Sequence, residues 1–275
     1  MIDIKNLSFS YGSNAVLENI SLKLEEGRIY GLLGENGVGK TTLLTLLCGL
    51  KKVGQGSIDI DGCDPYKRQP SLLQTIYYLP DEVMPFNQTG TAFARFEGKF
   101  WPDFDMDKFT NLMREFETDP GKKMNKMSAG QLKKTYIAFA LACNTRYLFM
   151  DEPTNGLDIP SKAQFRKAVG LYTAETSTIV ISTHQVRDLE NIIDPIIILD
   201  RCDVLLNASI EEISEKLYFD YGQTLHQGAL YSEQLPGGFI QVLMNTEGLE
   251  SKVNTEALFN AVHRHKDLIK GMFNK

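Results

Sequence analysis

Gly34-Glu35-Asn36-Gly37-Val38-Gly39-Lys40-Thr41 decides the fold. The octet fits G-x-x-x-x-G-K-[ST], the pattern of a phosphate-cradling loop. Its setting agrees with that reading. Arg28 to Leu33 is a short apolar run of strand character, and Thr41 to Leu50 has helical character with Gly49 near its end. Glycines let backbone N–H groups from Gly34 through Gly39, including those of Glu35, Asn36 and Val38, converge on phosphate oxygens. The following helix adds the positive end of its dipole. Lys40 is expected to place its charge on the β- and γ-phosphates of a bound nucleotide, and Thr41 to ligate Mg²⁺ through its hydroxyl. Thr42 is expected at the α-phosphate.

A second acidic site is expected further along. Arg146 to Met150 is an apolar strand that ends in Asp151-Glu152. Buried parallel strands read this way, and sites in such sheets lie at the carboxyl ends of strands. Asp151 is expected to hold Mg²⁺ and Glu152 to polarise the attacking water.

The pattern around these two sites is α/β with a mostly parallel core sheet. Residues 1–30 read as strands, with a turn at Tyr11-Gly12-Ser13-Asn14, and form an antiparallel β part. Ser57 to Asp61 and Thr75 to Leu79 are further strands. Residues 90–142 read mainly as helix, which predicts a helical subdomain at about 81–142 inserted in the core. Its Trp101, Phe93, Phe96, Phe100, Phe109 and Phe116 are expected to form its own core. Strand 177–182, helix 186–193 and strand 195–200 resume the alternation after helix 160–174. The nucleotide-binding unit is placed at 1–217. Residues 218–275 read as a small C-terminal extension with a Leu235-Pro236-Gly237-Gly238 turn and a final amphipathic helix from about Thr255.

Bulk properties narrow the function. The chain has 275 residues, 43% of them hydrophobic, and a net charge of −6. That balance argues against nucleic acid as a partner. Cys48, Cys63, Cys143 and Cys202 form no C-x-x-C pair, which suits a reducing cytosol. The N-terminus lacks the pattern of a signal peptide. No run reaches the roughly 18 apolar residues of a membrane helix. Asp103, Asp105 and Asp107 have the spacing of part of a calcium loop but lack its glycine and distal glutamate, so they read as a solvated turn.

Met127-Ser128-Ala129-Gly130-Gln131 resembles the ABC signature Leu-Ser-Gly-Gly-Gln. A helix N-cap would account for Ser128 alone. In chain order, however, the whole ABC ATPase set is present. Tyr11 resembles the aromatic that stacks on adenine, and the phosphate loop follows. Asp151-Glu152-Pro153-Thr154 resembles the Walker B segment, Asn155-Gly156-Leu157-Asp158 the D-loop, and His184 in Ser182-Thr183-His184 the switch histidine. The resemblance covers residues 1 to about 215. It implies a P-loop ATPase that pairs head to tail with a second ABC ATPase subunit, identical or related. Each ATP would lie between the phosphate loop of one subunit and Ser128, Gly130 and Gln131 of the other, with Asp158 nearby. His184 would contact the γ-phosphate and orient the water or Glu152.

One position departs from the family. Where the Q-loop has glutamine, Tyr78-Leu79-Pro80-Asp81-Glu82 places Asp81. A carboxylate can approach Mg²⁺ but supplies no amide donor, so Asp81 is expected as a substitute metal ligand. Asp81 and Ser128 are only 47 positions apart, which leaves no room for the coiled coils of the structural-maintenance and DNA-repair branch. One ATP site sets the chain apart from the two-site translation factors. Its C-terminal tail looks similar to those of bacterial export-type ATPases with separately encoded permeases. The resemblance therefore implies a transport ATPase, peripheral on the cytoplasmic face of the cell membrane, bound to a transmembrane permease. The alternative is a soluble ABC ATPase of protein assembly or regulation, similar to those of iron–sulfur assembly.

Overall fold

Five short runs of Ile, Leu, Val, Phe and Tyr have almost no polar alternation, so they satisfy their hydrophobicity only with both faces covered. The computed structural model, which describes residues 1–273, places these runs together. They are β3 (Ile29–Leu33), β5 (Ile76–Leu79), β6 (Tyr147–Asp151), β7 (Thr178–Thr183) and β8 (Ile196–Asp200). The sheet order is β5-β6-β7-β3-β8-β9, parallel from β5 to β8, with β9 (Asp203–Ala208) antiparallel at the edge. A separate antiparallel sheet, ordered β2-β1-β4, is built from β1 (Ile2–Tyr11), β2 (Asn14–Leu24) and β4 (Gln55–Ile60).

Alternate residues of one central strand feed opposite cores. Tyr147 and Phe149 point to the core shared with α1 (Lys40–Leu47) and the N-terminal sheet. Leu148 and Met150 point to the larger core on the other face. The short α2 (Pro70–Leu73) leads into β5, and α6 (Ile159–Tyr172) lies on the face of the larger core through Phe165, Ala168 and Val169.

The expected helical block lies between β5 and β6 as α3 (Gly90–Glu97), α4 (Met106–Glu115) and α5 (Ala129–Ala142). Asp105 is the N-cap of α4 and accepts from the backbone N–H of Asp107 and of Lys108, both at 2.9 Å. Trp101 Nε1 donates to the Ile76 carbonyl at 2.9 Å and ties the block to β5. Phe93, Phe109 and Phe116 are buried as expected, but Phe96 and Phe100 are 59% and 58% exposed and do not belong to the core. Phe93 and Ala94 take the inner face of the short α3, and the 3₁₀ turn Gly98–Phe100 carries the chain outward.

Two further expectations need correction. The helix predicted over 186–193 is only a 3₁₀ turn, Val186–Leu189. Its apolar spacing is helical, but Asn191 adopts a left-handed φ of 71°, and Pro195 biases the preceding residue away from helix. The C-terminal residues hold more structure than a turn and one helix. After α7 (Ile210–Lys216), β10 (Leu217–Gly222), β11 (Tyr231–Leu235) and β12 (Gly238–Met244) form an antiparallel sheet ordered β10-β12-β11. The Pro236-Gly237 turn joins its last two strands, with Leu235 opposite Gly238. Two helices follow, α8 (Thr255–Arg264) and α9 (Lys266–Phe273). Leu258, Ala261 and Val262 of α8 join the larger core, and Lys266 and Lys270 pair with Asp200 and Asp203 at the sheet edge.

Candidate nucleotide site

The loop from Gly34 to Gly39 runs from β3 into α1 at the carboxyl end of the sheet. Gly39 is the N-cap of α1 at a φ of 111°, in the left-handed region, and no side chain caps the helix. The first-turn N–H groups are thus left for an external acceptor. A Cβ at Gly34 would lie 2.7 Å from the Leu199 carbonyl oxygen and from Val38 Cγ2, so the loop fits only with glycine there.

Lys40 is 5% exposed, with its amine enclosed by oxygen. Nζ donates to the carbonyls of Gly34 at 2.7 Å and Glu35 at 3.0 Å and lies 3.5 Å from Glu152 Oε1. Burial pulls the amine below its usual pKa, against the opposing pull of Glu152 and Asp151. Thr41 Oγ1 donates to Asp151 Oδ2 at 2.6 Å, while Ser182 Oγ donates to Asp151 Oδ1 and Tyr78 OH reaches Oδ2 at 3.4 Å. Burial, and next the charge of Asp151, raise the Tyr78 pKa far above its usual value, which keeps the phenol protonated.

Glu152 has a φ of 44°, unfavourable for a residue with a side chain. The conformation is held from β7: the Glu152 N–H donates to the Ser182 carbonyl at 3.1 Å. Its Oε1 accepts from the His184 N–H at 3.0 Å and lies 2.9 Å from His184 Nδ1. Lys40, Glu152 and His184 thus form one contact group and Thr41 and Asp151 another, and the two adjoin along the chain at 40–41 and 151–152.

A cleft of about 370 Å³ is lined by Lys40, Thr41, Asp151 and Glu152 together with Tyr11, Thr42, Asn36, Gly37 and Asp81, whereas His184 lines a neighbouring recess with Gln185 and Asp188. Tyr11 is half exposed at the cleft mouth, its OH 3.4 Å from Thr42 Oγ1 and its ring under Lys51 Nζ at 4.9 Å. Asp81 lines the cleft, but its carboxylate is engaged by Lys133 Nζ and Asn155 Nδ2, each at 3.3 Å. Among the described residues, no group of three or more His, Cys, Asp or Glu side chains is gathered for a metal.

Other expected residues stand outside the cleft. Ser128 is the N-cap of α5 in a reciprocal capping box with Gln131, and Lys122 Nζ donates to Gln131 Oε1 at 3.0 Å. A Cβ on Gly130 would meet nothing within 4 Å, so this end of α5 is open. Asp158 caps α6 through the Ser161 N–H at 2.9 Å, and those Ser161 hydrogen bonds hold its pKa below the usual carboxylate value. Sequence reasoning assigned no role to Tyr78, Ser182, Lys133 or Asn155. Ser182 had a signal, since it lies two positions before His184 at the end of a strand.

The family profile for the ABC transporter matches residues 17–155, from β2 to the residue after Thr154. This chain belongs to the ABC transporter ATP-binding family. It is an ABC-type ATPase, and its fold is that of the P-loop NTPases. The ABC transporter ATP-binding protein YtrB of Bacillus subtilis is 31% identical over 218 residues, covering 78% of this chain and 74% of the relative. The uncharacterized ABC transporter ATP-binding protein MJ1023 of Methanocaldococcus jannaschii is 28% identical, over 86% and 87%. Among solved structures, an ATP-binding subunit of an ABC transporter aligns with a TM-score of 0.70 at 24% identity, over 78% of this chain and 91% of that one. The ATP-binding cassette MJ0796, solved as a post-hydrolysis dimer with ADP and Pi, aligns at 0.64 and 21%, over 76% and 98%. The match to the ABC ATPase profile takes in the phosphate loop, Ser128-Ala129-Gly130-Gln131 and Asp151-Glu152.

Proposed function

We propose that this ATPase works as one half of a head-to-tail dimer and drives a separately encoded transmembrane permease from the cytoplasmic face of the membrane. The observation that carries the dimer is the division of the site. Lys40, Thr41, Asp151 and Glu152 meet at one cleft, while Ser128, Gly130 and Gln131 lie apart on an open helix end. A second subunit would bring its own open helix end to the first subunit's cleft.

In this reading the γ-phosphate draws Lys40 away from the Gly34 and Glu35 carbonyls. Adenine stacks on Tyr11, and Thr42 meets the α-phosphate. Glu152 accepts the proton of the attacking water, and His184 orients the carboxylate from behind. The Thr41 hydroxyl and the Asp151 carboxylate are hard oxygen donors side by side, a set that suits Mg²⁺. Bound there, Mg²⁺ would neutralise phosphate charge.

A permease partner is supported by the helical block, where Met84, Phe86, Phe96 and Phe100 are all exposed. Phe96 and Phe100 meet edge-on at 6.5 Å, and contiguous exposed apolar surface marks interaction sites. No helix among the described residues is long and apolar enough to cross a membrane, and this reading assigns the membrane-spanning part to the partner. The test is to recover the tagged chain from gently solubilised native membranes and measure ATP turnover in the same fractions. A multi-span protein that co-purifies and raises turnover is expected. Recovery of soluble proteins alone, with all activity outside the membrane fraction, would overturn the transport role.

A further inference from the structure

The Asp81 that stands where the family has glutamine is matched by a second charge. Lys133, on the second turn of α5, is 5% exposed, and its amine points to the turn after β5. Nζ donates to the Asp81 carbonyl at 2.6 Å, to Asp81 Oδ1 at 3.3 Å and to the Pro80 carbonyl at 3.5 Å. An ammonium has three donors, and this one turn satisfies all three. A glutamine at 81 would remove the ammonium's ion-pair partner and leave it only the more distant charges of Asp151 and Glu152.

The contacts continue beyond Asp81. Its carboxylate accepts from Asn155 Nδ2 at 3.3 Å on both oxygens. The Asn155 backbone N–H donates to the Glu152 carbonyl at 3.1 Å, closing the turn that carries the strained Glu152. A continuous path thus runs from α5 through Lys133, Asp81 and Asn155 to the backbone of Glu152. Ser182 and His184 hold Glu152 itself, and this path holds the turn that follows it.

We propose that Lys133 is a positioning residue for hydrolysis: paired with Asp81, it fixes Asn155 and through it the turn that aims Glu152. The pair also joins the helix that starts at Ser128 to the Glu152 turn, so a displacement of the helical block reaches the Glu152 backbone through a half-buried ion pair. The inference rests on Glu152 serving the reacting water.

The test is steady-state ATP turnover of the full chain carrying K133M, N155A or both. Methionine fills the space of the lysine stem and leaves no buried charge. Each single variant is expected to lower kcat about tenfold, as small misplacements of reacting groups do, with KM for ATP within about twofold because the phosphate loop is untouched. The double variant is expected to lose no more than the worse single, since both interrupt one path. Wild-type kcat in K133M overturns the proposal, and so do losses that multiply in the double. Asn155 is exposed, so N155A tests the path even where K133M fails to fold, and wild-type kcat in N155A likewise overturns it. E152Q run alongside separates the two levels. Full turnover in E152Q removes the premise about Glu152, whereas full turnover in K133M beside an inactive E152Q removes the relay alone.

Discussion

The carboxylate of Glu152 accepts the backbone N–H of His184 at 3.0 Å and lies 2.9 Å from that residue's Nδ1. Both contacts fall on Oε1, which Lys40 Nζ also approaches at 3.5 Å. Oε1 is therefore the anchored oxygen, and none of these three groups engages Oε2. A carboxylate held by one oxygen presents the other to a water in a fixed direction.

E152Q keeps the shape and the anchoring acceptor but removes the basic charge. ATP turnover should fall by about 10² to 10⁴, the range of a lost general base, with ATP binding retained. H184A should give a smaller loss, since the Glu152 carboxylate keeps the backbone N–H of residue 184. Turnover and equilibrium binding of a non-hydrolysable ATP analogue, measured on the same preparations, check both. A large loss of binding in E152Q would count against its role in chemistry.

Tyr11 predicts the opposite split. Its ring sits at the mouth of the cleft, half exposed, edge-on to Phe9 at 5.0 Å and beneath Lys51. It touches none of the groups around Glu152. Y11A should weaken ATP binding by about 1–3 kcal/mol, the worth of one stacked base, and leave kcat at saturating ATP near wild type. Titration calorimetry together with turnover at saturation reads both quantities. GTP should lose less than ATP if the ring makes adenine-specific contacts and equally if it supplies stacking alone.

How much of this site could be read in the sequence follows from how local each part is. The phosphate loop and Asp151-Glu152 lie within a few residues each, and their chemistry is visible in their order. Ser182 and Tyr78 reach Asp151 only through strand register, with Ser182 opposite Asp151 on β7 and Tyr78 opposite Phe149 on β5. That register follows from the strand order β5-β6-β7-β3, which no local pattern encodes. Lys133 illustrates the same limit: on α5 it reads as one of two adjacent lysines, and only the fold turns it onto Asp81. The C-terminal sheet is not legible in the sequence because its strands are short and carry polar residues such as Asp220, Glu233 and Gln241. Gln241 is fully buried, and its amide oxygen accepts the His226 N–H at 2.8 Å while its NH₂ donates to the Thr224 carbonyl at 2.8 Å.

Asp61 carries a pH-dependent part of the stability. It lies at the end of β4 and meets the start of β6: Tyr147 OH donates to Oδ2 at 2.8 Å, Arg146 pairs with it at 2.9 Å, and the Met1 amine donates to Oδ1 at 2.7 Å. Burial would raise its pKa, but hydrogen bonds from the amine and Tyr147, with the charges of the amine and Arg146, bring it below the ordinary 3.8. The folded state therefore favours the carboxylate. The stabilisation is present in full above the unfolded value and is lost as pH falls through the folded one. With Asp61 31% exposed, D61N should cost about 1 kcal/mol at neutral pH. Urea unfolding of both proteins should show the gap closing below about pH 3.8. A gap that stays constant down to pH 2 would mean that the charge of Asp61 contributes nothing.

Phe139 separates the structural aromatics of the helical block from the exposed ones. It is 1% exposed on α5, and its ring meets those of Phe93 at 4.9 Å, Phe104 at 5.2 Å, Tyr77 at 5.6 Å and Trp101 at 5.8 Å. These rings come from α3, the loop before α4, β5 and the turn after α3, so one side chain joins the block to the sheet. F139A should cost about 3–5 kcal/mol in chemical unfolding, the range for removing a buried phenylalanine. Phe96 and Phe100 pair edge-on with each other at 6.5 Å on the outside of the block. Replacing both with alanine should change stability by no more than about 0.5 kcal/mol per site, as for other exposed positions. If this face receives the permease, the same double variant should keep the isolated chain's ATP turnover and lose its stimulation in the membrane complex. Stimulation equal to wild type would place the permease contact elsewhere on the chain.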